Sequence, residues 1–291
     1  MNLDTNNNAS CQLACLIYKR AFIHFGINHR IHKQVYLSKH NYGSLIAKGI
    51  ELTINSALNG EGILVIKAIF LDFYGTVVHE ETETMMNICH KIKQQSLTEA
   101  SAVEIGQFWM KEFNDLLIGG RGDTFLKQRE LSASSLRNTL TQFRSDANED
   151  ELLESMFNHW KNPSIFTDAA DFFAKNTIPV YILSNVDHAD IIEAINVLQL
   201  KVDRVITSEH VKSYKPHREM FDYALKVSGR SPEEVMHVGD SLTSDVAGAN
   251  RVGINSVWVN RSNKQVTGNV QPDFVVQGLS EILRIPALVN L

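Results

Sequence analysis

The chain has 291 residues, 44% of them apolar, and sets 28 Lys and Arg against 33 Asp and Glu for a formal charge of −5. That is enough for one large or two modest domains with a buried core, and too apolar for a disordered chain. The acidic balance gives no electrostatic case for nucleic acid or an acidic membrane surface, and no apolar run approaches the roughly 20 residues of a membrane span.

Residues 1–64 hold six Lys and Arg against three Asp and Glu, together with His24, His29, His32 and His40, so the remainder is the acidic part. The polar, Asn-rich start does not read as a secretory signal. Cys11, Cys15 and Cys89 are too few and too scattered for a disulfide framework. Cys11 and Cys15 match no strong zinc spacing and read as free thiols. A reducing cytoplasm is the natural expectation.

Residues 66–73 (IKAIFLDF) form a short apolar, β-branched and aromatic run that ends in Asp72 and is followed by Gly75. This predicts a buried parallel strand delivering a carboxylate into a loop. From 81 to about 160 the pattern turns helical: Phe108, Trp109, Phe113, Leu116 and Leu117, then Leu136, Leu140 and Phe143, then Leu152, Leu153, Met156 and Phe157. The stretch 145–151 suits a turn and a helix start, and 119–122 is too glycine-rich for helix interior and predicts a mobile loop. Glu80, Glu81 and Glu83 fit a solvated helix start. Trp109 and Trp160 suit a helical core or interface.

Beyond Pro163 strand and helix alternate. Strands are expected at 180–183, 205–207, 235–238, 255–259 and 274–276, with helices at 189–198, 219–227 and 244–250. Alternation of this kind predicts an α/β fold: a Rossmann-like parallel sheet covered by helices on both faces. The helical region separates the first strand from the rest, so it is an insertion. The expected division is a core of 65–80 and 163–291, a helical cap at 81–162 and an N-terminal extension at 1–64.

In open parallel sheets function collects at the carboxyl ends of strands. Four such ends carry polar groups: Asp72-Phe73-Tyr74-Gly75-Thr76, then Ser184-Asn185, then Lys215, then Gly239-Asp240-Ser241 with Asp245. Singly, Asp72 or Asp240 could be a helix cap, Ser184 a turn former and Lys215 a solvated charge. Four in order, each where a strand should end, are hard to assign to turns.

These segments resemble the four motifs of the haloacid dehalogenase superfamily. The resemblance implies a Rossmann-like core with an α-helical cap, Asp72 as a covalent nucleophile, and Thr76 and Ser184, with Asn185 beside it, holding the transferred group. It further implies that Lys215 neutralises charge and that Asp240 binds magnesium with support from Asp245. The chemistry agrees: a carboxylate attacking a phosphoryl group needs a divalent cation and a lysine to cancel charge. Asp72, the Tyr74 carbonyl and Asp240 make a hard-oxygen set suited to Mg2+.

Two departures matter. Phosphatases of this type carry a second Asp two residues after the nucleophile as acid and base, and here that position is Tyr74. The Asp-x-Tyr-Gly-Thr form resembles the 2-haloacid dehalogenase branch, in which a halide leaves without a proton. Against that reading, Asp240 stands where those dehalogenases have no carboxylate, Phe221 replaces their tyrosine, and only Arg121 and Arg129 remain as candidates for their substrate arginine. The expected activity is a Mg2+-dependent phosphatase acting on a small phosphorylated metabolite, with Tyr74 as proton donor. The alternatives are a hydrolytic 2-haloacid dehalogenase and a non-catalytic phospholigand-binding protein. The partner is a small-molecule substrate, with no nucleic acid and no membrane, and the chain is a monomer or homodimer.

His237, inside an apolar strand, is expected to be packed and hydrogen-bonded rather than catalytic, and His79 to be a solvated loop residue. Gly60-Glu61-Gly62 is what a purine-rich ribosome-binding sequence would encode. A native start near Val65 is therefore expected, with a regulatory or docking extension as the competing reading.

Overall fold

The structure is a computed structural model and describes residues 65–80, 82–266 and 269–285. The expectations for 1–64, including Cys11, Cys15 and the four histidines, lie outside the described residues.

Six parallel strands form one sheet in the order β3-β2-β1-β4-β5-β6, namely β1 (Ala68–Leu71), β2 (Val180–Ser184), β3 (Arg204–Thr207), β4 (Val235–Gly239), β5 (Asn255–Val259) and β6 (Phe274–Val276). β1 is central and buried throughout, which explains its unbroken apolar character. The expected strand 66–73 is trimmed to four residues, and beyond it the amides of Val77 and Val78 both turn back to the Phe73 carbonyl. Leu71 registers with Ile182 and with Val238, and Ser184 with Thr207. The polar residues that follow these strands therefore emerge at one end of the sheet. The chain builds outward from β1 to β3 on one side and from β4 to β6 on the other. Strand order thus reverses between β1 and β4, the place where open sheets leave a crevice.

Between β1 and α5 (Thr167–Lys175) four helices are inserted: α1 (Thr82–Gln94), α2 (Ala102–Gly119), α3 (Gln128–Gln142) and α4 (Glu149–Lys161). Ser101 and Glu104 start α2 by exchanging side-chain and backbone hydrogen bonds, and Asn148 caps α4 ahead of Glu149, Asp150 and Glu151. Trp109 and Trp160 are buried in this layer, where the Trp109 Nε1 donates to Ser135 Oγ at 3.0 Å. The glycine-rich stretch closes α2 and makes one tight helical turn, Gly122–Thr124.

The core helices are α5, α6 (His188–Val197), the short α7 (Ser208–Val211), α8 (Arg218–Ser228) and α9 (Ala247–Arg251). One expectation is corrected at 244–250. The chain first makes a wide turn, Leu242–Val246, in which the amides of Asp245 and Val246 both donate to the Ser241 carbonyl, and regular helix begins only at Ala247. Such widened turns concentrate at functional sites, and this one carries Asp245.

Candidate active site

Asp72 leaves β1 with its amide still bonded to the Val238 carbonyl at 2.9 Å, so its backbone remains part of the sheet. The chain then folds into a tight turn, with Val77 N on Phe73 O at 2.7 Å and Gly75 N on Val78 O at 2.8 Å. Gly75 sits at φ +83°, a conformation that side-chain-bearing residues rarely adopt. The turn brings Thr76 back over its own strand, and its hydroxyl donates to Asp72 Oδ2 at 2.9 Å and lies 3.4 Å from Asp240 Oδ1.

Lys215 is 2% exposed and uses its three ammonium donors on Asp72 Oδ1 (2.6 Å), Asp245 Oδ1 (2.7 Å) and the Leu183 carbonyl (2.9 Å). Asp245 also takes His237 Nε2 at 3.0 Å, and its second oxygen accepts the Ser241 amide at 3.1 Å. It packs directly beneath Gly239, where a Cβ would lie 2.2 Å from the Asp245 Cγ, so only glycine fits at the end of β4.

These positions set the charge states. Burial drives Asp72 up to about 6, opposed by the Lys215 charge and reinforced by Asp245. Asp240 is pushed up to about 8 by burial and by the neighbouring Asp72, Asp245 and Glu80 charges. Asp245, despite burial, is held well below the carboxylate range by Lys215 and His237. Burial lowers His237, so it is a packed neutral donor or acceptor. Against burial, Asp245 and Asp72 hold Lys215 above its ordinary value.

Asp72, Thr76, Lys215, Asp240 and Asp245 converge. The Ser184 hydroxyl accepts the Val186 amide at 3.2 Å, shaping its own loop. Asn185 is committed to the Lys215 backbone, its Oδ1 accepting the Lys215 amide at 2.8 Å. The Tyr74 hydroxyl, expected as proton donor, donates to the Trp160 carbonyl of α4. The arginines proposed for a substrate carboxylate hold the cap to the core: Arg121 pairs with Glu219, and Arg129 grips Asp190 at 2.5 and 2.8 Å. Phe221 is fully buried with its ring 5.0 Å from His237. His79 is exposed and its ring meets Phe166 in a tilted contact.

Three supporting residues had no readable signal. Asp187, at the start of α6, turns its carboxylate to the amides of Gln128 and Arg129 (2.8 and 3.1 Å), capping a cap helix from the core. Trp258 Nε1 donates to the Asp240 carbonyl at 2.8 Å, and Arg261 reaches the carbonyls of Gly75 and Thr76. Each contact spans the fold, so no local pattern announces it.

The oxygens of Asp72, Asp240 and Asp245 lie within 4.8 Å of one another. Three carboxylates face one ammonium in a buried pocket, so full ionisation would leave an excess of negative charge, and burial together with the neighbouring carboxylates raises Asp240. A divalent cation with oxygen ligands fits this set. Asp245 accepts from Lys215 and His237 through Oδ1 and from the Ser241 amide through Oδ2, so Asp72 and Asp240 have the more open carboxylates of the three that could hold a metal ion.

A parallel sheet with an inserted helical cap, and an Asp-Lys-Asp cluster at its switch point, defines a hydrolase core of the haloacid dehalogenase type. The chain belongs to that family: the model described as haloacid dehalogenase-like hydrolase matches residues 66–253. Among curated relatives it is similar to pyrimidine 5'-nucleotidase YjjG of Escherichia coli (32% identical over 81 residues, covering 28% of this chain and 36% of the relative). It is also similar to the phosphoserine phosphatase of Thermus thermophilus (37% over 84 residues, 29% of this chain and 34% of the relative). The chain thus spans about a third of the length of these relatives. The L-2-haloacid dehalogenase of Xanthobacter autotrophicus shares the fold with TM-score 0.61 and 21% identity, covering 76% of this chain and 98% of that one. The magnesium-bound HAD-hydrolase YfnB of Bacillus subtilis does so with TM-score 0.59 and 16% identity, over 76% and 98%.

Proposed function

We propose that the chain is a Mg2+-dependent phosphatase acting on a small phosphorylated metabolite through an aspartyl-phosphate at Asp72. The observation that carries this reading is Asp240 beside Asp72, with a single ammonium for three carboxylates. Dehalogenation needs no second carboxylate at that place, whereas a metal site does. The relatives matched over the core motifs include proteins named as phosphatases and nucleotidases. Cys89, a free buried thiol, suits a reducing compartment such as the cytoplasm.

In this mechanism Asp72 attacks phosphorus, an Asp–O–P bond forms, and the bond to the leaving oxygen breaks. Thr76 and Lys215 hold Asp72 in a fixed rotamer, which limits the motion needed before attack. Asp72, Asp240 and the Tyr74 carbonyl would hold Mg2+, which would neutralise phosphoryl charge there. Asp245 keeps Lys215 protonated and aimed. Water then attacks phosphorus, the bond from the Asp72 oxygen to phosphorus breaks, and the water proton leaves on inorganic phosphate. The chain offers no carboxylate at position 74, so leaving groups that depart without a proton are favoured, namely aryl and acyl phosphates.

Tyr74 in place of a carboxylate favours a second reading, hydrolytic dehalogenation of a short 2-haloacid at Asp72. The test is a screen for phosphate release and halide release, each with Mg2+ and with EDTA. Phosphate release abolished by EDTA is expected; halide release that persists in EDTA would replace the first reading with the second.

A further inference from the structure

Arg261 stands just after β5, far from the four motifs, on a loop braced by Asn260, whose side chain bonds both the amide and the carbonyl of Lys264 at 2.8 Å. Its guanidinium donates through Nη1 to the Gly75 carbonyl (3.0 Å) and through Nη2 to the Thr76 carbonyl (2.9 Å) and Asp168 Oδ2 (2.8 Å). The carbon of the guanidinium lies 3.8 Å from the centre of the Phe166 ring, and that ring meets His79 in a tilted contact with centroids 3.7 Å apart.

These partners are the chain segments that enter and leave the cap. The two linkers pair with each other through His79 N on Ser164 O (2.9 Å), Phe166 N on Val77 O (3.1 Å) and a bridge between Val78 and Ile165. Asp168 in turn accepts the Leu279 amide at 2.6 Å, tying in the C-terminal turn. One planar fork therefore grips the turn that carries Thr76 and both linkers of the cap.

We propose that Arg261 is a positioning residue, holding the main chain of residues 75–76 so that the Thr76 hydroxyl stays on Asp72. The inference rests on the reading of Asp72 and Thr76 given above. Thr76 reaches Asp72 across only four residues, and Gly75 between them has wide backbone freedom, so the turn needs an external brace. Arginine suits the task because its fork reaches two adjacent carbonyls and a carboxylate at once while its face lies on an aromatic ring. A lysine ammonium has three donors on one atom but no planar face to lie on the Phe166 ring while its donors reach sideways.

The test compares wild type, Arg261→Ala, Arg261→Lys and the exposed-pair control Arg218→Ala. Two readouts are needed: hydrogen exchange of peptides covering 73–80, and kcat and KM for p-nitrophenyl phosphate with Mg2+. Both Arg261 variants should exchange about tenfold or more faster at 73–80 with β4 unchanged. They should also lose about tenfold or more in kcat with KM within about threefold. The control should match wild type. Unchanged exchange at 73–80, or an Arg261→Lys variant equal to wild type, would overturn the proposal. So would faster exchange spread evenly to β4 in Arg261→Lys, because that assigns the arginine a general stabilising role. If wild type releases no phosphate, the phosphatase reading falls while the exchange data still decide the role of Arg261.

Discussion

The Asp240 carboxylate fills the space that a side chain on Gly75 would need, since a Cβ there would lie 2.7 Å from Asp240 Oδ2. The first and fourth motifs are thus in direct steric register across the crevice between β1 and β4. A Gly75→Ala variant meets both the contact and a φ of +83°, a backbone cost of roughly 1–2 kcal/mol before any clash is counted. We expect a lowered melting temperature and Mg2+ affinity weakened about tenfold or more. Thermal melts and calorimetric titration with Mg2+ would measure both; wild-type affinity would refute the steric argument.

Lys215 is the only cation in contact with Asp72 and Asp245 among the described residues. Removing it in Lys215→Met leaves two buried carboxylates uncompensated, which costs about 3–5 kcal/mol for pairs of this kind. Urea denaturation should show a loss of that order, and phosphate release should fall to background. A variant as stable as wild type would mean that the buried charges are compensated some other way.

The pH dependence of the metal-free protein follows from Asp240 and Asp72. Their folded pKa values, about 8 and about 6, lie above the ordinary 3.8, so the folded chain holds protons that the unfolded chain has released. Their contribution to stability is most favourable below about pH 4 and is lost as pH climbs toward 8. In EDTA, Asp240→Asn should therefore gain melting temperature relative to wild type between pH 5 and pH 8. Mg2+ should stabilise wild type more at pH 8 than at pH 5, and a pH-independent difference between the two proteins would contradict this account.

Tyr74 donates its hydroxyl to the Trp160 carbonyl, so its proton is engaged with the cap. Rates across phosphate esters should fall steeply as the leaving-group pKa rises, and Tyr74→Phe should leave that slope unchanged. Tyr74→Asp should flatten it by supplying a carboxylic acid. A steeper slope in Tyr74→Phe would restore the phenol as the proton donor.

Cys89 is 1% exposed in the cap, and burial pushes its thiol up to about 11. At pH 8 almost none is thiolate, so iodoacetamide should label the peptide carrying Cys89 slowly in the folded protein and rapidly in urea. Equal rates in the two conditions would show that the α1 layer opens freely.

The amino-acid sequence alone determined the alternation of strand and helix, the insertion of the helical segment and three motifs at strand ends; Lys215, expected at a fourth, instead lies in the loop beyond the short α7 that follows β3. The sequence could do so because burial period and strand-end chemistry are local properties: an apolar run such as Ala68–Leu71 announces a central strand, and Asp72 its exit. What Asp245 and Tyr74 do was decided only in three dimensions. The wide turn after Ser241 delivers Asp245 to Lys215 and His237 as well as to the carboxylate cluster with Asp72 and Asp240. The phenol of Tyr74 meets a carbonyl that the cap helix brings from 86 residues away. Arg261, carrying no motif, reaches Gly75 across 186 residues. Such partners become neighbours only when the sheet order places β5 and the linkers beside the end of β1, and no periodicity encodes that.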